Sequence, residues 1–419
     1  MRLQPQIRPH ATRPRIGRAR WPPFSDACRQ GKDRNIACHP RVAEVFTPFV
    51  SMVAPGAEEN RRGRGTPHHT HRMETDILVN AQQVVAGIDL GGTAVNYTFL
   101  NGERKFLVDG LCEHPARVAE GPEVCLQQIA DGLEIAAASA GLQPEQIVGV
   151  GLDTPGPATA DGVLSARGST NFGHERWAGF DIRAGLEAKL GRPVCYLNDG
   201  NAAALWGHFT KFGVENRATS ISAIIGTGLG GGVIVHGDVV TGRNGFGGEL
   251  GHVLIPYRAI PGIEGLVPRC NCGRTGDLES LCSLTAIERT LLPFFLQRHP
   301  GHQLSELGDP RRAAKFVRGL AEKGDAMCQE IFRVQACALG LFFDEMMNVF
   351  DPDVLFVGGG AVETDVSFQQ WFVNEIRGAM PRQREEQAGI EILVMPNGDT
   401  AGARGAAIDA LALATREPT

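Results

Sequence analysis

Residues 221–252, ISAIIGTGLGGGVIVHGDVVTGRNGFGGELGH, constrain the fold more than any other stretch of the chain. Two β-type apolar runs, ISAIIG and GGVIVHG, are joined by a glycine-dense turn holding Gly226, Thr227, Gly228, Leu229, Gly230, Gly231 and Gly232. So many glycines let backbone N–H groups converge with no Cβ in the way, which suits a phosphate. Shortly after the second run, Glu249 and His252 stand three apart in a Gly-rich segment, polar groups fit to converge on one small polar ligand. A phosphate cradle beside a polar pocket points to phosphoryl transfer to a small molecule.

A second hairpin of the same kind is expected at 84–100, VVAGIDLGGTAVNYTFL, as a strand, a Gly91-Gly92 turn and a strand. Asp89 ends the first strand and Thr93 lies just past the turn. A carboxylate there can hold a hydrated Mg²⁺ while turn amides and the Thr93 hydroxyl meet phosphate oxygens. The competing reading is an ordinary hairpin with an Asp at its mouth. The hairpins at 84–100 and 221–235 look like two versions of one element.

The segment 193–209, PVCYLNDGNAAALWGHF, reads as a strand running directly into an Ala-rich helix, with Asn198 and Asp199 at the junction. Open α/β sheets place ligands at the carboxyl ends of their strands, and a helix N-terminus favours an ionised carboxylate. The plainer reading is that Asp199 or Asn201 caps the helix. Elsewhere the pattern predicts an Ala-rich helix at 123–142, a buried strand at 147–156, Asn171 in a polar loop and a helix at 181–190 capped by Asp181. A long apolar helix follows at about 326–349, then a strand and triple-Gly turn at 351–362, a strand IEILVMP and a closing Ala-rich helix. Alternating strands and helices make the chain α/β. The segment CNCGRTGDLESLCS, 270–283, suggests zinc when taken with His252, because Zn²⁺ takes four N, S or carboxylate-O ligands. Two reduced cysteines in a loop are the alternative.

Charge is unevenly spread. Residues 1–72 carry 14 Lys and Arg against 5 Asp and Glu, and the remainder carries 27 against 42. The acidic body is not expected to bind nucleic acid, although the basic head has the sign to meet polyanions. Residues 1–80 are rich in Arg, Pro and Gly without either period, and read as a disordered extension. An organelle transit peptide is opposed by its acidic residues, and Met73 is an alternative start. No run of about 18 apolar residues occurs, so no membrane span is expected. Ten thinly spread cysteines and no secretory h-region fit reduced thiols in a cytoplasmic setting.

With GIDLGGT, the Asn171 loop, LNDGNAAAL, GTGLGGG, GELGH, CNCGRTGDLE and DVLFVGGG in order over about 84 to 415, the chain resembles the ROK (repressor, open reading frame, kinase) family of sugar kinases, particularly its glucokinase-like members. The resemblance implies a two-lobed, actin-like ATPase fold of the hexokinase and ribonuclease H-like kind. On that expectation 81–213 form the N-terminal lobe, completed by a C-terminal helix at 400–419. The C-terminal lobe then spans 214–399, with a hinge near 211–219 and another before the last helix.

It also implies Asp199 as general base and Asn171, Asn198, Glu249, His252 and Glu279 as holders of sugar hydroxyls. Asp89, Gly91, Gly92 and Thr93 would form one phosphate loop, with Asp89 on Mg²⁺ through water. Gly226, Thr227, Gly228, Gly230 and Gly231 would form the other, and Gly358, Gly359 and Gly360 a turn on the adenosine side. His252, Cys270 and Cys272 match three of the family's four structural-zinc ligands. Asp277 stands where the third cysteine falls; an Asp oxygen can ligate Zn²⁺, and Cys282 lies one turn on. A homodimer is a further family implication.

The expected reaction is ATP-dependent conversion of glucose to glucose 6-phosphate. Fructose, mannose or an N-acetylated amino sugar are alternative acceptors and polyphosphate an alternative donor. Other readings are a non-catalytic sugar-binding protein and a sugar-responsive repressor. The latter is opposed by prolines at 5, 9, 14, 22 and 23, which leave no paired helices for a DNA-binding head.

Overall fold

The computed structural model describes residues 83–165, 171–213, 216–381 and 384–415. The chain divides into Met1–Arg72 and Met73–Thr419. The expectation of a disordered basic head at 1–80 lies outside the described residues.

Two five-stranded sheets carry the body. The first has β1 (Val84–Leu90), β2 (Ala94–Asn101), β3 (Cys112–Pro115), β4 (Ile147–Thr154) and β5 (Val194–Asn198) in the order β3-β2-β1-β4-β5. The second has β6 (Ser220–Ile225), β7 (Leu229–Val235), β8 (Asp238–Val239), β9 (Val354–Gly358) and β10 (Glu391–Val394) in the order β10-β9-β6-β7-β8. The orders are the same read from opposite ends. In each, the first two strands pair antiparallel and the next two are added parallel. The register sets Asp89 beside Asp153 across β1 and β4, and Ile224 beside Gly358 across β6 and β9.

The first sheet is covered by α1 (Pro122–Ser139) and α2 (Ile182–Leu190), whose Asp181 cap accepts from the Ala184 amide at 2.8 Å as the sequence predicts. Helix α3 (Asp199–Phe212) leaves β5 and packs on β6 and β7 of the second sheet. In the second half, α4 (Leu284–Ala286) runs through a π turn into α5 (Leu292–Arg298), followed by α6 (Pro310–Glu322), α7 (Ala326–Phe350) and α8 (Val366–Ala379). The closing helix α9 (Ala401–Thr415) follows β10 and returns to the first sheet, against β1 and β4. Helices α3 and α9 therefore cross between the sheets and touch each other. Glycine permits that closeness: a Cβ on Gly405 of α9 would overlap the Ala202 carbonyl of α3.

Helix α7 is long and apolar enough to cross a membrane by length and composition. Here it is a core helix, with Phe332, Leu339, Phe342 and Phe343 buried among α8 and the second sheet's apolar residues. All described cysteines are free thiols.

The glycine turn at 226–232 is shorter than its composition suggests. The turn is Gly226-Thr227-Gly228, and Gly230, Gly231 and Gly232 belong to strand β7. They serve packing: a Cβ on Gly200 of α3 would stand 2.7 Å from the Gly231 backbone, and one on Gly232 would press on Asn201 and Ala204 of the same helix. Gly358 likewise ends β9 rather than opening the turn, which begins at Gly359.

Candidate active site

The carboxyl ends of β1, β4 and β5 bring acidic residues into one neighbourhood, and the junction of β5 with α3 decides their roles. Asn198 is the N-cap: its Oδ1 accepts from the Asn201 amide at 2.8 Å. Neither Asp199 nor Asn201 caps the helix, so the plainer reading of Asp199 fails, and its carboxylate is left at the first helical position. One of its oxygens accepts from the Gly200 amide at 2.7 Å. Asn198 is used twice, because its Nδ2 also donates to Glu249 Oε1 at 3.1 Å. Asn198 and Glu249, 51 residues apart, are thus joined beside Asp199.

Asp199 reaches solvent on one side, although protein packs closely around its carboxylate. This enclosure, with the nearby charges of Asp89 and Glu249, outweighs the Gly200 amide and pushes its carboxyl up to about 6. Solvent on the open side screens part of that effect. A carboxylate with a midpoint just below neutrality, at a strand's carboxyl end, is suited to accept a proton from a hydroxyl.

Asp89 ends β1, half-buried, and Asn96 Nδ2 donates to it at 3.2 Å. Burial raises its carboxyl above the usual range. The adjoining turn is closed by the Gly91 amide donating to the Ala94 carbonyl at 2.9 Å, which leaves Gly92 and Thr93 exposed. Asn171 lies over this turn, since a Cβ on Gly92 would stand 3.2 Å from its Oδ1. Asp153, at the end of β4, is the residue the sequence reading passed over. It is fully buried, and burial first, then the charges of Asp89 and Asp199, hold its carboxyl well above the usual range. The signal was available: Asp153 ends a strand just before Thr-Pro-Gly, the same kind of position that singled out Asp199.

In the second half, Gly226 and Gly228 form the tip of the β6–β7 hairpin, and the Gly359 backbone closes against Ile225 beside it. The two predicted phosphate-side and adenosine-side turns are therefore neighbours. Arg318 donates to the Gly360 carbonyl and holds that turn. Glu279 ties the hairpin to the cysteine segment: its Oε2 accepts from the Leu229 amide at 2.9 Å and its Oε1 from the Cys270 thiol at 3.2 Å.

His252, Cys270, Cys272 and Asp277 offer four ligand atoms, all within 4.8 Å of one another. His252 Nδ1 is 3.2 Å from Asp277 Oδ2 and 3.8 Å from Cys270 Sγ, and Cys272 Sγ is 3.5 Å from Asp277 Oδ2. Zinc bonds of about 2.0–2.3 Å in a tetrahedron require ligand separations of about 3.3–3.8 Å. The donor set and its spacing fit zinc. Cys282 is outside it, buried with its thiol on the Gln335 carbonyl at 3.3 Å. The predicted sugar-holding residues thus fall into three places, Asn198 with Glu249 beside Asp199, His252 with Glu279 at the cysteine segment, and Asn171 over the Gly92 turn.

A model of the ROK family matches residues 85–414. A glucokinase from Halalkalibacterium halodurans is 30% identical over 322 residues, 76% of this chain and 92% of that protein. An N-acetyl-D-glucosamine kinase from Citrobacter koseri is 29% identical over 77% of this chain and 97% of its own. Among solved structures, a ROK family glucokinase from Streptomyces griseus, in complex with glucose and AMPPNP, superposes with a TM-score of 0.57 at 26% identity. That match covers 78% of this chain and 99% of that one.

Proposed function

The chain belongs to the ROK family and has its two-lobed, actin-like α/β ATPase fold; on that premise we propose that it is a sugar kinase that transfers the γ-phosphoryl group of ATP to glucose, forming glucose 6-phosphate. The observation that carries the reading is the state of Asp199: the neighbouring Asn198 takes the capping role and binds Glu249, which leaves the Asp199 carboxylate exposed with the Gly200 amide as its hydrogen-bond donor.

Phosphoryl transfer asks the protein mainly for position and charge neutralisation. The Gly91–Thr93 and Gly226–Gly228 turns supply backbone amides to the phosphates, and Gly359 with Gly360 borders the adenosine. Asn171, Asn198 and Glu249 hold sugar hydroxyls in a fixed pattern, with His252 and Glu279 from the cysteine segment. Asp199 accepts the proton of the attacking hydroxyl, which a carboxyl near 6 does readily at neutral pH. Asp89, with only oxygen ligands to offer, fits Mg²⁺ through water. When bound, that ion neutralises charge on the phosphates. His252, Cys270, Cys272 and Asp277 would hold zinc, which would fix the loop that carries Glu279.

The glucokinase relatives support glucose, and the N-acetyl-D-glucosamine kinase at nearly the same identity supports an N-acetylated amino sugar as the second reading. ADP release with ATP across glucose, N-acetylglucosamine, mannose and fructose tests both. Glucose is expected to give the highest kcat/KM; preference for N-acetylglucosamine replaces it by the second reading, and no turnover with any sugar removes the kinase. Polyphosphate in place of ATP tests the donor.

A further inference from the structure

Two carboxylates stand side by side at the ends of β1 and β4, and only one of them has an assigned role. Asp153 is fully buried, and among the described residues no N–H or O–H donates to either of its oxygens. An unpartnered buried carboxylate is costly, and a second carboxylate beside it adds repulsion. Asp89 is that neighbour. It pairs with Asp153 across the strands and lies close enough for the two carboxyl groups to contact. Asp89 keeps Asn96 as its own donor, whereas Asp153 has none.

The roof over this pair is Gly402, the second residue of α9. A Cβ there would stand 3.2 Å from both Asp153 oxygens and 3.3 Å from Asp89 Cγ. The absent side chain lets the first turn of α9 approach the carboxylate oxygens closely. The positive end of α9 favours ionised carboxylates nearby, yet none of its amides donates to Asp153. What this arrangement wants is a compact positive charge. Mg²⁺ is bound through one or two carboxylates with the rest of its shell left to water and phosphate.

We propose that Asp153 is the second carboxylate of the divalent-cation site, and that the Asp89–Asp153 pair takes up the cation before the nucleotide arrives. The proposal rests on the reading of the chain as a Mg²⁺-dependent kinase, since the same ion then meets the phosphates. It differs from the expectation for Asp89 alone, in which a single carboxylate reached through water has little affinity for a free ion.

The test uses the full chain, with the cysteine site saturated with zinc and with neither nucleotide nor sugar present. Mn²⁺ serves as the probe, and loss of its free-ion electron paramagnetic resonance signal is the readout. The wild-type chain is expected to bind one Mn²⁺ at this site, with Asp153→Asn and Asp89→Asn each weakening it at least about tenfold. Thermal unfolding supplies a readout that does not need binding by the variant. With zinc bound at the cysteine site and no other divalent cation present, Asp153→Asn is expected to raise Tm, because repulsion is relieved, and Mn²⁺ is expected to raise Tm in the wild type only. Equal Mn²⁺ affinity in wild type and Asp153→Asn overturns the proposal. So does a wild-type chain that binds no Mn²⁺ without nucleotide, the outcome if a shared proton alone holds the pair. Failure of the kinase reading would be seen separately, as no turnover with any sugar while Mn²⁺ binding persists.

Discussion

The two sheets have the same strand order and pairing, yet opposite chemistry at equivalent points. Where the first places Asp89 beside Asp153, the second places Ile224 beside Gly358. Each first hairpin ends in a three-residue turn, Gly91–Thr93 and Gly226–Gly228, but only the first has a carboxylate at its base. The topology supplies two cradles, and side chains then assign one to charge and proton chemistry and the other to backbone amides. The crossing of α3 and α9 ties each sheet to the helix that follows the other, so the acid-bearing and amide-bearing halves are joined through packed helices.

The largest effect should come from the acidic half. Asp199→Asn keeps the shape and the position behind the Asn198 cap but cannot accept a proton. It is expected to lower kcat by about 10²–10⁴-fold, with glucose binding retained by calorimetry. Near-normal turnover would remove Asp199 as the base and leave the difference between the halves without catalytic meaning.

The second half should answer through binding. Purified protein is expected to contain one zinc per chain by elemental analysis, and Cys272→Ala to lose it. Because Glu279, placed on the sugar, is held by the Cys270 thiol, sugar KM should rise about tenfold and more than ATP KM. Zinc absent from active protein would sever that link and make the four ligands a hydrogen-bonded cluster only.

Glycines of the second hairpin separate into two kinds, and substitution distinguishes them. Gly231→Ala would press on Leu250 Cδ1 at 3.0 Å and on the Ser222 carbonyl, so urea unfolding should show about 1–3 kcal/mol of lost stability. A Cβ on Gly226 meets nothing within 4 Å, so Gly226→Ala should leave stability within about 0.5 kcal/mol and raise ATP KM. Equal destabilisation would mean that the tip, too, is packed rather than open.

Much of this contrast was legible in the residues. Strand and helix identities followed from apolar runs punctuated by glycine, and LNDGNAAAL placed Asp199 at its junction because a strand turning directly into a helix leaves few alternatives. What could not be read was partnership across the fold. Nothing near Asn198 announces Glu249 as its acceptor, 51 residues on. Asp153 was hidden because a buried strand with one acid reads as packing until the register sets it against Asp89. Gly230–Gly232 looked like turn because composition does not distinguish a glycine that bends the chain from one that admits a helix.

The smallest effect is also the one that asks whether the acids act on one another. Asp199 must be ionised to accept a proton, and its carboxyl lies near 6 because of burial together with the charges of Asp89 and Glu249. The acid limb of kcat/KM, which reports the free enzyme, should therefore bend near pH 6 and fall about tenfold per unit below it. Glu249→Gln removes one like charge while keeping an acceptor for Asn198 Nδ2. With less repulsion the ionised form of Asp199 is easier to reach, so the limb should move to lower pH by a fraction of a unit, even as sugar KM rises more than ATP KM. A limb that stays in place would show that the Glu249 charge has no part in setting Asp199, leaving burial and Asp89. A limb that moves upward would mean that the lost charge had been helping to hold Asp199 ionised, the reverse of the repulsion inferred for this half of the molecule.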